Sequence, residues 1–176
     1  MMTESDAVKS GVLVALQEIH EDHPAEGYVL HTALAQGSDR LVAGISRELP
    51  QMKLVVVQPV CAGKVLDAPL SGEDGTIIDE LMRAASEIIH LPDAATSEAA
   101  YRSLGIYLAQ ECDVLLALWN GVVNHKPGGT SDVVAMARRL AKPVYWVYCD
   151  NKEAGASNPF NGRKRAGELE LIRTGH

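Results

Sequence analysis

A doubly wound α/β architecture, three layers with a parallel sheet between two layers of helices, is the fold class that the sequence predicts. Three observations point to it. Strand-length apolar segments alternate along the chain with segments of helical periodicity. Two of the strand-like segments, Leu54-Val55-Val56-Val57 and Val114-Leu115-Leu116-Ala117-Leu118, are uniformly apolar. Such runs suit parallel strands covered on both faces, whereas a half-exposed strand alternates. Glycine-bearing turns follow strands at Gly37 and at Gly128-Gly129, which would place both on the rim where ligands bind in such sheets.

The elements follow in order. Ser5 or Asp6 caps a first helix running to about Asp22, with Val8, Val12, Leu16 and Ile19 at helical spacing and His23-Pro24 as its stop. Residues 28–32 read as a short strand and 35–39 as the turn after it. A second helix runs to about Leu49, with Leu41, Val42 and Ile45 apolar and Pro50 closing it. A strong strand spans 53–58. Residues 59–73, rich in Pro and Gly, read as irregular. A third helix starts at Asp74 or Thr76 and ends near Ala85, with Ile77, Ile78, Leu81 and Met82 as its apolar residues. Then come a strand at 87–91, a helix from Ser97 to about Cys112, a strand at 113–118, a helix at 131–140 and a strand at 143–148. Residues 1–150 thus form one domain. Residues 151–176 form a flexible C-terminal tail with a final short helix about Leu169, Leu171 and Ile172, and the basic run Arg163-Lys164-Arg165 is a solvated part of it.

Composition narrows the function. The 176 residues are 47% hydrophobic and 22% charged, as expected of a globular domain with a real core. The formal net charge of −7 argues against a general nucleic-acid binder. No apolar run reaches the roughly 20 residues that span a bilayer, and the N-terminus has no leader pattern, so a cytoplasmic protein without a membrane partner is expected. Cys61, Cys112 and Cys149 are odd in number and far apart, which disfavours a disulfide framework. His20 and His23, beside Glu21 and Asp22, read as a solvated helix end. No metal site and no cofactor is expected.

The stretch 113–147 carries the chemistry. An apolar strand ends at Trp119, a polar loop runs from Asn120 to Lys126, and Pro127-Gly128-Gly129-Thr130-Ser131-Asp132 opens a helix. Glycines there bring backbone N–H groups to a helix N-terminus, where the dipole and the unpaired donors favour an anion such as a phosphate. A nucleotide or phosphosugar is the implied ligand. The plainer readings stand beside it. Pro127-Gly128-Gly129 suits an ordinary turn, Gly37-Ser38-Asp39 a helix cap, and Trp119 simple packing. His31 and His90 read as satisfied core or edge residues, and His125 as a further candidate phosphate contact. Glu98, Tyr101 and Arg102 also fall near the rim, where surface roles suit them.

Three stretches resemble one superfamily: Leu34-Ala35-Gln36-Gly37-Ser38-Asp39-Arg40-Leu41; Ala100-Tyr101-Arg102 with the run from Cys112 to Trp119; and Pro127-Gly128-Gly129-Thr130-Ser131-Asp132-Val133-Val134 with Lys142-Pro143-Val144. The group is SLOG, the Rossmann-like nucleotide-binding proteins that include the DNA-processing protein Smf/DprA and the Lonely-guy phosphoribohydrolases. The chain looks most like uncharacterised bacterial members, over roughly residues 7–148. The resemblance implies a Rossmann-like domain in which Gly128, Gly129 and Thr130, with Ser131, cradle phosphate. Gly37, Ser38 and Asp39 would line the opposite side of the same cleft, Arg40 would add a phosphate contact, and Trp119 and Asn120 would meet a base or ribose. It also implies a homo-oligomer.

Two features depart from the family. The Lonely-guy enzymes carry a Glu three residues after the motif's Thr; here that position is Val133, which can do no acid–base or nucleophilic work. Asp132 is adjacent, but one residue along a helix turns a side chain about 100° away, and an acid suits the first turn for its dipole alone. The family also opens with a strand that is missing here, unless the run Gly11 to Leu16 is that strand. Three functions therefore compete: a nucleotide-binding sensor or carrier; an N-glycosidic hydrolase or transferase acting on nucleoside monophosphates, which would need a carboxylate such as Asp39 or Glu98; and a non-catalytic structural subunit. The catalytic residues of the second are unknown.

Overall fold

In chain order the elements are α1 (Glu4–Asp22), β1 (Tyr28–Thr32), α2 (Ser38–Ser46), β2 (Met52–Gln58), β3 (Val60–Cys61), β4 (Lys64–Val65), α3 (Glu73–Ala84), β5 (Glu87–His90), α4 (Ser97–Glu111), β6 (Leu115–Trp119), α5 (Thr130–Arg139), β7 (Val144–Tyr148) and β8 (Leu169–Ile172). The computed structural model describes residues 4–66, 73–123, 126–150 and 164–173. It is a mixed α/β protein with parallel strands, divided into two compact units: Ala25–Leu108, and Met1–Pro24 together with Ala109–His176. Each unit has its own sheet.

In the unit Ala25–Leu108, three parallel strands lie in the order β1-β2-β5. Leu54–Val57 of the central β2 are all buried, which is why that run is uniformly apolar. Alternate residues serve opposite faces. Leu54 and Val56 pack with Leu34, Ala43 of α2 and Leu81 of α3, whereas Val55 and Val57 pack with Leu91 and Leu104 of α4. Of the apolar residues of α3, Ile78 and Leu81 are buried and Ile77 is half exposed. Residues 60–65, expected to be irregular, make a small hairpin of β3 and β4 instead. Its two-residue turn has positive φ at both Ala62 (50°) and Gly63 (73°), the backbone twist that suits tight hairpins.

In the unit built from Met1–Pro24 and Ala109–His176, β6 and β7 are parallel and β8 joins the far side of β7 antiparallel. All five β7 residues are buried. Val144 faces Val134 and Ala137 of α5, and the adjacent Tyr145 turns to the other face and reaches Asp22 at the end of α1. The 11–16 run is therefore helical, inside α1, and not a strand. The C-terminal segment also departs from expectation. Leu169–Ile172 form a β-strand rather than a helix, and Lys164 is not a solvated tail residue. Its ammonium sits 4.6 Å from the Trp146 ring centroid and donates to Glu168 and Glu170, with the side chain only 14% exposed. A cation over an aromatic face explains the docking. Arg163 lies outside the described residues.

Gly11 explains how α1 seats on this sheet. A Cβ at Gly11 would lie 2.3 Å from the carbonyl oxygen of Gly167, and a Cβ at Gly167 (φ 82°) would lie 2.0 Å from the carbonyl oxygen of Ala7. Helix and turn thus meet backbone to backbone, which a side chain at either position would prevent. Gly44 of α2 is the contrast, with open space where its Cβ would go and no positive φ. Gly11→Ala is expected to destabilise the fold by about 1–3 kcal/mol through overpacking, while Gly44→Ala stabilises it by about 0.5–1 kcal/mol through helix propensity. Urea titration of both variants checks the opposite signs.

Candidate functional site

The ten candidate ligand residues fall into two groups, one in each unit. Gly37, Ser38, Asp39 and Arg40 open α2 after the loop that leaves β1. Gly37 is the helix N-cap, at φ 94° and ψ −111°, a conformation open to glycine and strained for other residues. No side chain caps this helix. Leu34 also has positive φ, 57°, and its side chain is buried in the core. Two polar side chains fasten this bent loop. Asp39 accepts from the Thr32 hydroxyl and from the amides of Ala33 and Ala35, the last at 3.3 Å. Arg40 donates from Nε to the Leu34 carbonyl at 3.1 Å. Both side chains are therefore committed to the loop's own backbone. Burial pushes the Asp39 carboxyl above the ordinary aspartate range, against the lowering effect of those hydrogen bonds and of Arg40.

The second group follows β6. Trp119 packs with the α5 core and stands 5.5 Å from the Trp146 ring, and its Nε1 donates to the Val122 carbonyl at 3.0 Å. Asn120 Oδ1 accepts from the Val122 amide at 3.0 Å, closing an Asx turn. Both residues build the loop that leads to the glycines. Asn124 and His125 lie outside the described residues.

Gly128 takes φ 69°, and Gly129 is the N-cap of α5 with extended backbone and no side-chain cap. The glycine amides are engaged. Gly128 N–H donates to Asp132 Oδ2 at 2.9 Å, and Gly129 N–H to the Lys126 carbonyl at 2.9 Å. The Gly129 carbonyl in turn accepts from the amides of Asp132 and Val133, at 2.9 and 3.0 Å. Thr130, at the first helical position, is exposed, and its amide has no hydrogen bond among the described residues. Ser131 is buried. Asp132 thus does what its first-turn position suggests, placing a carboxylate at the positive end of the helix. It also reaches back to the Gly128 amide, a contact that residue spacing alone leaves undetermined.

Val133, at the position where the Lonely-guy enzymes carry glutamate, is 8% exposed and packed inside, so no acid–base group stands there. Glu98 and Arg102 are exposed, and Tyr101 packs against the core that includes Leu104. His31 departs from the satisfied role expected of it. Its ring stacks on Tyr107 at 6.0 Å, yet its Nδ1 is buried without a hydrogen-bond partner among the described residues. Among those residues no group of His, Cys, Asp and Glu could hold a metal ion, and no helix is long and apolar enough to cross a membrane.

No protein-family model matches the chain, and no curated protein matches it.

The Asp39 environment has a defined pH signature. A carboxyl whose pKa is raised on folding binds its proton more tightly in the folded chain. Its stabilising share is complete below the unfolded aspartate value and is lost as pH rises through the folded one. Asp39→Asn removes that titration. The variant is expected to gain stability relative to the native chain on going from pH 4 to pH 7, as read by urea midpoints at both. A stability difference independent of pH would show that Asp39 titrates normally.

Proposed function

We propose that the chain is a Rossmann-like nucleotide-binding module of SLOG type, a sensor or carrier in which the N-terminus of α5 holds a ligand phosphate. The observation that carries this reading is the conformation of Gly128-Gly129-Thr130. A positive-φ glycine and an uncapped glycine N-cap lead into an exposed Thr130 whose amide has no hydrogen bond among the described residues. That geometry suits an anion, because the Thr130 amide and the helix dipole act together. The Asp132 carboxylate already takes the Gly128 amide, so a ligand has to compete with it there. A bound phosphate would take the Thr130 amide and share or displace Asp132, with Lys126 bringing a positive charge to the same loop. Parallel pairing of β1-β2-β5 and of β6-β7, with helices between successive strands, supports the Rossmann-like class. The buried Val133 weighs against a glycosidic enzyme. A structural subunit is the second reading. It is favoured by the same two hydrogen bonds that satisfy Gly128 and Gly129 without any ligand.

Melting the protein with a panel of nucleoside mono-, di- and triphosphates separates these readings. A ligand at about 100 times its dissociation constant should add roughly 2.7 kcal/mol of stability. Stabilisation without release of free base is the expected result. Base release would identify the enzyme, and no response to any phosphate compound would leave the structural subunit. Gly129→Asp, at a backbone conformation open to any residue, is expected to abolish the stabilisation while the chain still folds. Undiminished binding by this variant would remove the loop from the site.

A further inference from the structure

A cavity of about 300 Å³ opens in the unit formed by Met1–Pro24 and Ala109–His176, at the end of the sheet where β7 begins. It takes no part in the phosphate reading above. Its walls come from the end of α1 (Asp22, His23), the entry to β7 (Pro143, Tyr145) and the end of β8 (Leu171, Arg173).

The charges in it are placed unusually. Asp22 is the last residue of α1, where the helix carbonyls already concentrate negative potential and a carboxylate is disfavoured. Its Oδ2 accepts from the hydroxyl of the fully buried Tyr145 at 2.6 Å, so the carboxylate is fixed in position from the core. Arg173 approaches the same oxygen at 3.8 Å, with its side chain 76% exposed. That pair is loose, and an exposed ion pair of this kind contributes little to stability. The guanidinium keeps donors for a further partner. Pro143 and Leu171 supply apolar surface, and the His23 ring meets the Tyr145 ring edge-on at 6.3 Å.

A simple anion here would face Asp22, and a simple cation would face Arg173. A molecule bearing an ammonium and a carboxylate on one carbon satisfies both, with its side chain against Pro143 and Leu171. Such a mixture of a few oriented polar groups with apolar lining is the usual make-up of a small-ligand pocket. We propose that this cavity is a binding site for a free α-amino acid, its ammonium on Asp22 and its carboxylate on Arg173.

Calorimetric titration of the 176-residue chain with each of the twenty free amino acids, up to about 10 mM, tests this. At least one is expected to bind saturably. Its N-acetyl and its amide derivatives, each lacking one charge, should bind at least tenfold more weakly. Asp22→Asn, which keeps an acceptor for Tyr145, and Arg173→Ala should each weaken binding at least tenfold. Arg173 is exposed, so its variant carries the test even if the Asp22 variant folds poorly. Saturation by no amino acid, or binding indifferent to Arg173→Ala and to loss of either ligand charge, would overturn the proposal. Nucleotide binding is read separately in the same variants, and its presence or absence does not bear on this result.

Discussion

In the unit that carries the glycine loop, everything is arranged around one buried strand. β7 bonds β6 on one side and β8 on the other, and its five side chains are all withdrawn from solvent. Burying that much backbone is tolerable only when both edges are paired. β8 is therefore required, which makes the C-terminal segment part of the sheet. The alternation along β7 then divides the labour. Val144 meets α5 and so fixes the helix whose N-terminus bears Gly129 and Thr130, while Tyr145 meets α1 through Asp22. Trp146 points with Val144 and is held by the Trp119 carbonyl, at 2.8 Å, and by Lys164 above its ring.

The glycine loop meets its own hydrogen-bonding needs to a degree that has a functional consequence. A helix N-terminus with vacant donors binds an anion at no internal cost. Here the Asp132 carboxylate already holds one of them. Any phosphate that settles on the loop must either accept a like charge close by or release Asp132 from Gly128. On the proposed reading, binding would be of modest affinity and accompanied by a local rearrangement. The Gly37 turn of the other unit is fastened similarly, by Asp39 and Arg40.

Much of the fold was legible in the sequence because its signals are local. The uniform apolar run Leu54–Val57 marks a strand covered on both faces, and the spacing of Val8 and Val12 marks a helix with one buried face, each a pattern that short windows contain. The segments misjudged depend on distant partners. Leu169–Ile172 is too short and mixed to declare itself a strand without β7 beside it, and Lys164 looks solvated until Trp146 lies beneath it. Gly11 is unremarkable in a helix until Gly167 is known to press against it. At the candidate site, the positions of the glycines and the first-turn role of Asp132 were readable. The return of Asp132 to Gly128 was not, because it depends on the exact path of the loop. The bonds that Trp119 and Asn120 make within the loop were unreadable for the same reason: their partner, Val122, is chosen by loop geometry.

The central claim is that the amides at the start of α5 grip an anionic group. Backbone ¹H–¹⁵N resonances of the labelled chain, followed during titration with a nucleoside monophosphate and separately with inorganic phosphate, test it residue by residue. Saturable shifts concentrated at Gly128, Gly129, Thr130 and Asp132 are the result expected here. Saturation with those four resonances unmoved would contradict it.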